Sequence, residues 1–243
     1  MTGDLDNSFG FQTVEVSEHR ARIRRVFAAV AARYDLMNDL MSFALHRRWK
    51  RRLIKAVAPR SGEIIVDLAG GTGDVAIGLA DPHRRVIVCD PSVEMMQVGR
   101  RRGAASVEWV AGEAEALPFA TGAIDCVTIS FGIRNVTQLD RALIEIARVL
   151  KPGGRLFCLE FSTPRRWAKP FYDVFSFVVI PRLGAAVARA PEAYLYLVES
   201  IRRFPDQERF KAALEAAGFR DVTYFDLMFG VVSIHAGRKP DAG

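Results

Sequence analysis

From Glu63 onward the chain alternates short apolar runs with helical patterns, and that order constrains the fold more than any other feature. The runs are EIIVD (63–67), VIVCD (86–90), VEWV (107–110), IDCVTIS (124–130) and RLFCLEF (155–161). Short, apolar and bounded by glycine, proline or polar clusters, each reads as a strand. Between them, Asp74–Ala80, a Ser92-capped stretch to Arg102, and Thr137–Leu150 read as helices. A further helix over Asp206–Ala217, with Gly218 past its end, leads to two last strands at Val222–Phe225 and Val231–His235. Such alternation means βαβ units: an α/β fold with a mostly parallel, seven-stranded sheet and helices on both faces.

Two regions stand outside this rhythm. Residues 1–20 are polar apart from Phe9 and Phe11. Residues 21–35 put Ile23, Phe27 and Val30 on one helical face, and LHRRWKRRLIKAV (45–57) opposes Trp49, Leu53 and Val57 to a charged face. The expected organisation is an N-terminal helical extension (1–60) ahead of a main domain (61–243). Within that domain, about 40 residues rich in Phe, Tyr, Val and Pro (164–205) precede the last helix. An apolar insertion at the carboxyl edge of a parallel sheet is expected to be a lid or a docking surface. With 243 residues, 50% of them hydrophobic, the chain can bury a core without disulfides or metal.

Cys89, Cys126 and Cys158 sit in apolar strands and form no CxxC pair, so buried, reduced thiols and a cytoplasmic setting are expected. No apolar stretch approaches the ~20 residues of a membrane-spanning helix, and no secretory signal is visible. The formal net charge is +6, with basic clusters at 47–52 and 100–102. Aromatics do not alternate with these clusters, and no helix-turn-helix or zinc spacing appears, so nucleic acid is not an expected partner. An anionic membrane surface is.

The sharpest local signal is Asp67-Leu-Ala-Gly-Gly71-Thr72-Gly-Asp74 at the first strand–helix junction. Open α/β sheets bind ligands at the carboxyl ends of their strands, where glycines let a ligand approach the backbone. Gly71 to Ala76 also fits GxGxxA, and Asp90 lies 19 residues after Gly71, where an acid meets ribose hydroxyls. Taken alone, this says nucleoside cofactor and leaves nicotinamide and S-adenosylmethionine both open. Three features favour the second. Asp67 offers a carboxylate where an ammonium fits better than a pyrophosphate. Glu113-Ala114-Glu-Ala-Leu-Pro-Phe119 supplies a polar edge and an apolar cover for an adenine. Arg148-Val-Leu-Lys-Pro-Gly-Gly-Arg155 links a helix to the fifth strand. No Tyr is followed by Lys four residues on, and no HExxH, nucleophile elbow or Cys/His metal spacing appears, so no metal is expected.

Together, AGGTGD, Asp90, EALPF and VLKPGG resemble a class I S-adenosylmethionine-dependent methyltransferase with a Rossmann-like sheet. ARYDLMNDLMSFALHRRWKR (32–51), TISFGIRNVT (128–137), LEFS (159–162), YLVESI (196–201) and PDQ (205–207) narrow the resemblance to the ubiquinone/menaquinone biosynthesis C-methyltransferases. It implies methylation of a ring carbon on a polyprenylated quinol: demethylmenaquinol, 2-polyprenyl-6-methoxy-1,4-benzoquinol, or both. It implies that Thr72, Asp90, Glu113, Ala114 and Ser130, with Asp67 and Gly71, hold S-adenosylmethionine. It also implies a peripheral position at the inner face of the membrane, with other quinone-biosynthesis enzymes as possible partners. Two positions depart from the family: Glu113, where Asn is common, and Ala44, where Gly is frequent. The second is mild in a helical backbone and costlier if φ is positive.

Methyl transfer to carbon needs an electron-rich ring, so the reduced quinol is the expected substrate. Arg134 and Asn135, after the fourth strand, are the expected activating residues: Arg134 to steer a water or stabilise a phenolate, Asn135 to hydrogen-bond the quinol oxygen. Tyr34 is expected to close over the methyl-transfer zone, its aromatic face tolerating a sulfonium. His46 is a weaker candidate base and reads first as a surface histidine; His19, His83 and His235 read as structural. A nicotinamide oxidoreductase and a non-catalytic binding member are the competing classes.

Overall fold

The computed structural model describes residues 8–10, 12–30, 38–39, 42–102, 106–174 and 191–241. Its elements, in order, are β1 (Ser8–Phe9), β2 (Gln12–Thr13), α1 (Val16–Val30), α2 (Leu45–Val57), β3 (Ile64–Leu68), α3 (Asp74–Leu79), β4 (Arg85–Asp90), α4 (Val93–Arg100), β5 (Val107–Ala111) and β6 (Ile124–Ser130). Then come α5 (Leu139–Val149), β7 (Leu150–Phe161), α6 (Lys169–Val174), α7 (Pro191–Arg203), α8 (Gln207–Ala216), β8 (Arg220–Leu227) and β9 (Val232–Arg238).

Seven strands form one sheet in the order β5-β4-β3-β6-β7-β9-β8. The five strands from β5 to β7 are parallel, while β9 runs antiparallel to both β7 and β8. The parallel strands inside the edge, β3, β4, β6 and β7, are buried on both faces over most of their length, which is why their sequences read as nearly continuous apolar runs. Alternation of side chains then splits the core in two. On one face Val66, Leu68, Ile87 and Cys89 pack against Leu143, Ile146 and Val149 of α5 and Phe210 and Leu214 of α8. On the other, Ile65, Val86 and Val88 pack against Trp49, Leu53 and Val57 of α2 and Val75 and Leu79 of α3. The apolar face of the basic helix at 45–57 is therefore core, and its charge faces out.

The chain leaves β3 toward β4 and β5, then returns to lay β6 on the opposite side of β3. Loops after β3 and β6 diverge at this point, leaving a crevice at the carboxyl ends of the central strands. Two differences from the expected elements lie near it. The described residues before 21 are not loose: β1 pairs with β2, and α1 begins at Val16. Their anchors are distant in sequence, since Phe9 stacks on Tyr196 at 4.6 Å and Arg203 donates to the Gly10 carbonyl at 3.0 Å. The insertion contributes α6 and α7, and α7 packs beside α1.

Candidate active site

Two clefts open at the carboxyl edge of the sheet, and Phe131 lines both. The first, about 830 Å³ and open to solvent, lies among the β3, β4 and β6 loops and α1. Gly71, Asp90, Glu113, Ala114 and Asn135 line it, so five of the expected site residues meet there. Gly71 carries φ +56°, a left-handed backbone that glycine adopts without strain. Its amide donates to Asp90 Oδ2 at 2.8 Å, and the Ser92 amide donates to Oδ1 at 2.8 Å. Asp90 is thus fixed in direction, with lone pairs to spare for a ligand hydroxyl. Burial pushes its carboxyl up to about 6, opposed by those two backbone bonds.

Asp67 lies under the glycine loop and Thr72 is buried within it, and neither lines a cleft. Asp67 is 1% exposed; Thr128 donates to one oxygen at 2.8 Å and the Ala76 amide to the other at 3.2 Å. Burial raises its carboxyl to about 7. A side chain on Gly70 would meet Asp67 Oδ2 at 2.8 Å, so the DLAGG spacing also seats this carboxyl. Glu113 is paired with Arg20 of α1 at 3.0 Å.

α1 is the wall that sequence reasoning missed. His19, Arg20, Ile23 and Phe27 line the first cleft. His19 is buried and hydrogen-bonds Thr137 Oγ1 at 3.0 Å, which ties α1 to the loop after β6. The apolar face at Ile23 and Phe27 was visible, but not what it covers.

The second cleft, about 980 Å³ and likewise open, is apolar and aromatic. Phe131 and Phe161 stand 4.9 Å apart, and Trp49 lies 6.1 Å from Phe131 and 6.4 Å from Phe161. Tyr172 adds a phenol that burial holds neutral, at about 12. Among the polar lining groups are Ser130, Arg134 and His46. Ser130 Oγ is buried with no hydrogen-bond partner among the described residues. His46 is 5% exposed rather than a surface histidine. Ala44 carries φ +58° and Phe43 φ +48°, so the departure from glycine at position 44 falls on the costlier backbone.

The wall between the clefts is held in strain. Phe131 has φ +58°, which costs a non-glycine residue about 1–2 kcal/mol. Arg134 donates from Nη1 to the Phe131 carbonyl at 2.8 Å and to Glu160 Oε1 at 2.7 Å. Both members of the ion pair are buried, with side chains 6% and 1% exposed. Burial pushes the Glu160 carboxyl up and Arg134 opposes it. Asn135 Oδ1 accepts from Tyr196 Oη at 2.9 Å. Arg134 therefore faces the second cleft and Asn135 the first, with the strained Phe131 backbone held beside them. Tyr34 lies outside the described residues.

A family model described as the ubiE/COQ5 methyltransferase family matches residues 14–239. The chain belongs to this family. It is a methyltransferase, and curated relatives agree: it is 62% identical over 238 residues to the ubiquinone/menaquinone biosynthesis C-methyltransferase UbiE of Rubrivivax gelatinosus, covering 98% of this chain and 95% of the relative. It is 49% identical to UbiE of Serratia proteamaculans, covering 95% and 96%. Among solved structures, a SAM-dependent methyltransferase from Thermotoga maritima superposes with a TM-score of 0.64 at 22% identity, covering 88% of this chain and 98% of that one. That likeness supports the fold of the methyltransferase.

Proposed function

We propose that the first cleft binds S-adenosylmethionine, that the second binds the ring of a polyprenylated quinol, and that the enzyme methylates a ring carbon in menaquinone or ubiquinone biosynthesis. The observation that carries this reading is the pair of clefts sharing one aromatic wall, one ended by fixed polar groups and the other lined by flat apolar rings. The relatives' names supply the substrate class.

The residues of the first cleft fit the donor. Asp90, its oxygens aimed by two backbone amides, suits the vicinal hydroxyls of a ribose. Met95 and Ala114 give an adenine an apolar bed, with Glu113 at its edge. The bound donor supplies an electrophilic methyl group on a cationic sulfur. Asp67, expected to meet the ammonium of the donor, is instead buried beneath the loop with both oxygens bonded to Thr128 and Ala76, so it supports the turn together with Thr72.

On the acceptor side, Phe131, Phe161 and Trp49 pack into one continuous aromatic wall that offers a quinol ring a face to lie against. The Phe131 face tolerates the sulfonium from the other direction. Arg134, oriented by Glu160, places fixed positive charge beside a ring oxygen and stabilises a phenolate there. Asn135, oriented by Tyr196, lines the first cleft rather than the ring site, and Ser130, expected at the donor, instead lines the second cleft, where its unused hydroxyl can meet the ring. Holding the ring carbon in line with the breaking bond supplies several kcal/mol of the acceleration.

No helix among the described residues is long and apolar enough to cross a membrane. A prenylated substrate resides in a bilayer, so the reading places the enzyme at the cytoplasmic membrane surface. Phe43, at the second cleft, and Trp167 and Phe171 of the insertion are exposed and supply shallow apolar contact. The basic residues of 47–52 supply attraction to anionic lipid. Vesicle binding that ignores both anionic lipid and salt would remove the electrostatic half of this picture.

The test of the reaction is methyl transfer. Purified enzyme with labelled S-adenosylmethionine is given short-tailed demethylmenaquinol or 2-polyprenyl-6-methoxybenzoquinol, each with and without reductant. Label is expected in reduced acceptor only. Tight donor binding with no label in either acceptor would sink the reading.

A further inference from the structure

We propose that His46 is a catalytic base of the second cleft: its Nε2 accepts the hydrogen bond, and then the proton, of the quinol hydroxyl ortho to the carbon being methylated. This rests on the reading of the second cleft as the quinol site.

Hydrogen-bond bookkeeping fixes the form of the imidazole. Ser42 Oγ lies 2.6 Å from the Asn38 carbonyl oxygen, which only accepts, so the single Ser42 proton is spent there. Ser42 Oγ is also 2.8 Å from His46 Nδ1. With no proton left on the hydroxyl, Nδ1 must donate, and Asp39 Oδ1 at 3.7 Å favours the same form. His46 is therefore the Nδ1–H tautomer, and Nε2 carries a lone pair. Nothing among the described residues bonds to Nε2. The ring is buried yet lines the cleft that also holds Arg134 and Ser130.

The surroundings keep the ring neutral. Burial and the Lys50 and Arg47 cations lower its pKa, while Asp39 and Asp74 oppose them, leaving it at about 4. Arg134 is a further cation lining the same cleft. The lone pair is thus available at every physiological pH, at the cost of weak intrinsic basicity. A phenolate forming beside it offsets that cost, because an adjacent negative charge stabilises the imidazolium.

The step balances. The hydroxyl proton passes to Nε2, and the electron pair left on oxygen feeds the ring. The ortho carbon forms its bond to the methyl carbon as the carbon–sulfur bond breaks, its pair staying on sulfur as a thioether. The hydrogen on the newly methylated carbon leaves to water as a proton and its pair restores the aromatic ring. The imidazolium returns its proton to the ring oxygen, so one proton is released overall.

Two measurements test this. Nitrogen NMR of the wild-type protein with ¹⁵N-labelled histidine is expected to show His46 Nε2 unprotonated at pH 7, a titration midpoint near 4, and a shift of Nε2 on adding a short-tailed quinol. His46→Gln keeps an acceptor oxygen but no base; kcat is expected to fall by about 100-fold or more with donor Kd unchanged. His46→Gln should also lose the acid limb of the wild-type kcat–pH profile. A protonated Nε2 at pH 7, or a folded variant with kcat within about twofold of wild type, overturns the assignment while leaving the quinol reading standing. A wild-type enzyme that methylates neither quinol overturns the reading and the assignment with it.

Discussion

The two clefts share a wall but are built in opposite ways. The first is made from the loops that follow β3, β4, β5 and β6, with α1 as a wall, so its loop residues recur at the spacing of βαβ units. The second gathers Trp49, Ser130 and Arg134, Phe161, and Ile201 from four separate stretches of chain. The first is polar at one end and its carboxylate is aimed by backbone amides. The second is aromatic, and its arginine is aimed by a buried glutamate. The fold's own topology thus frames the first cleft, whereas the second has to be assembled from side chains that tertiary packing brings together.

The largest expected effect comes from breaking the wall between them. Glu160→Ala strands Arg134 in a buried site and should cost about 3–5 kcal/mol of stability, read from urea unfolding. A loss under about 1 kcal/mol would show that water reaches the pair and that Phe131 is not held through it. Next is Asp90→Ala, which removes the donor site's charged acceptor from two amides and from the ligand. Donor affinity should weaken by about 100-fold in calorimetry, from one or two lost charge-assisted bonds, while binding of a short-tailed quinone is unchanged. Equal losses at both sites would mean that the clefts are not separable.

A pH experiment sharpens the same contrast. Burial holds Asp67 at about 7 in the folded protein against an ordinary value of 3.8. A raised folded-state value means that the native state binds the extra proton, so this contribution is present near pH 4 and is lost as pH rises toward 7. Asp90, raised to about 6, acts in the same direction. His46, lowered to about 4, acts the other way over the same range, so the Asp67 share is read by difference: between pH 4.5 and 7.5 the urea midpoint of wild type should fall more, or rise less, than that of Asp67→Asn. An unchanged slope would place the titration elsewhere. The smallest effect belongs to the rim of the second cleft. Ala44→Gly relieves a left-handed backbone at φ +58° at the expense of unfolded-state entropy, for a net gain of about 0.5–1 kcal/mol. A loss of stability on thermal unfolding would contradict the strain.

What the sequence made legible follows the same division. The parallel strands, the Ser92 cap and the helix at Leu45–Val57 were readable because periodicity and capping are local. So was the spacing of Gly71 and Asp90, because the βαβ repeat fixes it; the bond from the Gly71 amide to Asp90 was not. The hairpin at Ser8–Thr13 was not, since Tyr196 and Arg203 hold it in place. The left-handed Phe131 left no trace either, because nothing in a phenylalanine announces a positive φ. His46 read as a surface residue between Leu45 and Arg47; its burial depends on α2 lying against the sheet. Roles that depend on which strand ends meet can be counted along a chain, and roles that depend on which helices pack cannot.

The central claim is that one aromatic residue separates donor from acceptor and that the methyl group passes beside it. A crystal structure with S-adenosylhomocysteine and a short-tailed quinone tests this most directly. The ribose is expected on Asp90, the sulfur on one side of Phe131 and the quinone ring against Phe161 and Trp49 on the other, with His46 at a ring oxygen. A quinone ring bound away from Phe131, or a nucleoside lodged in the aromatic cleft, would contradict it.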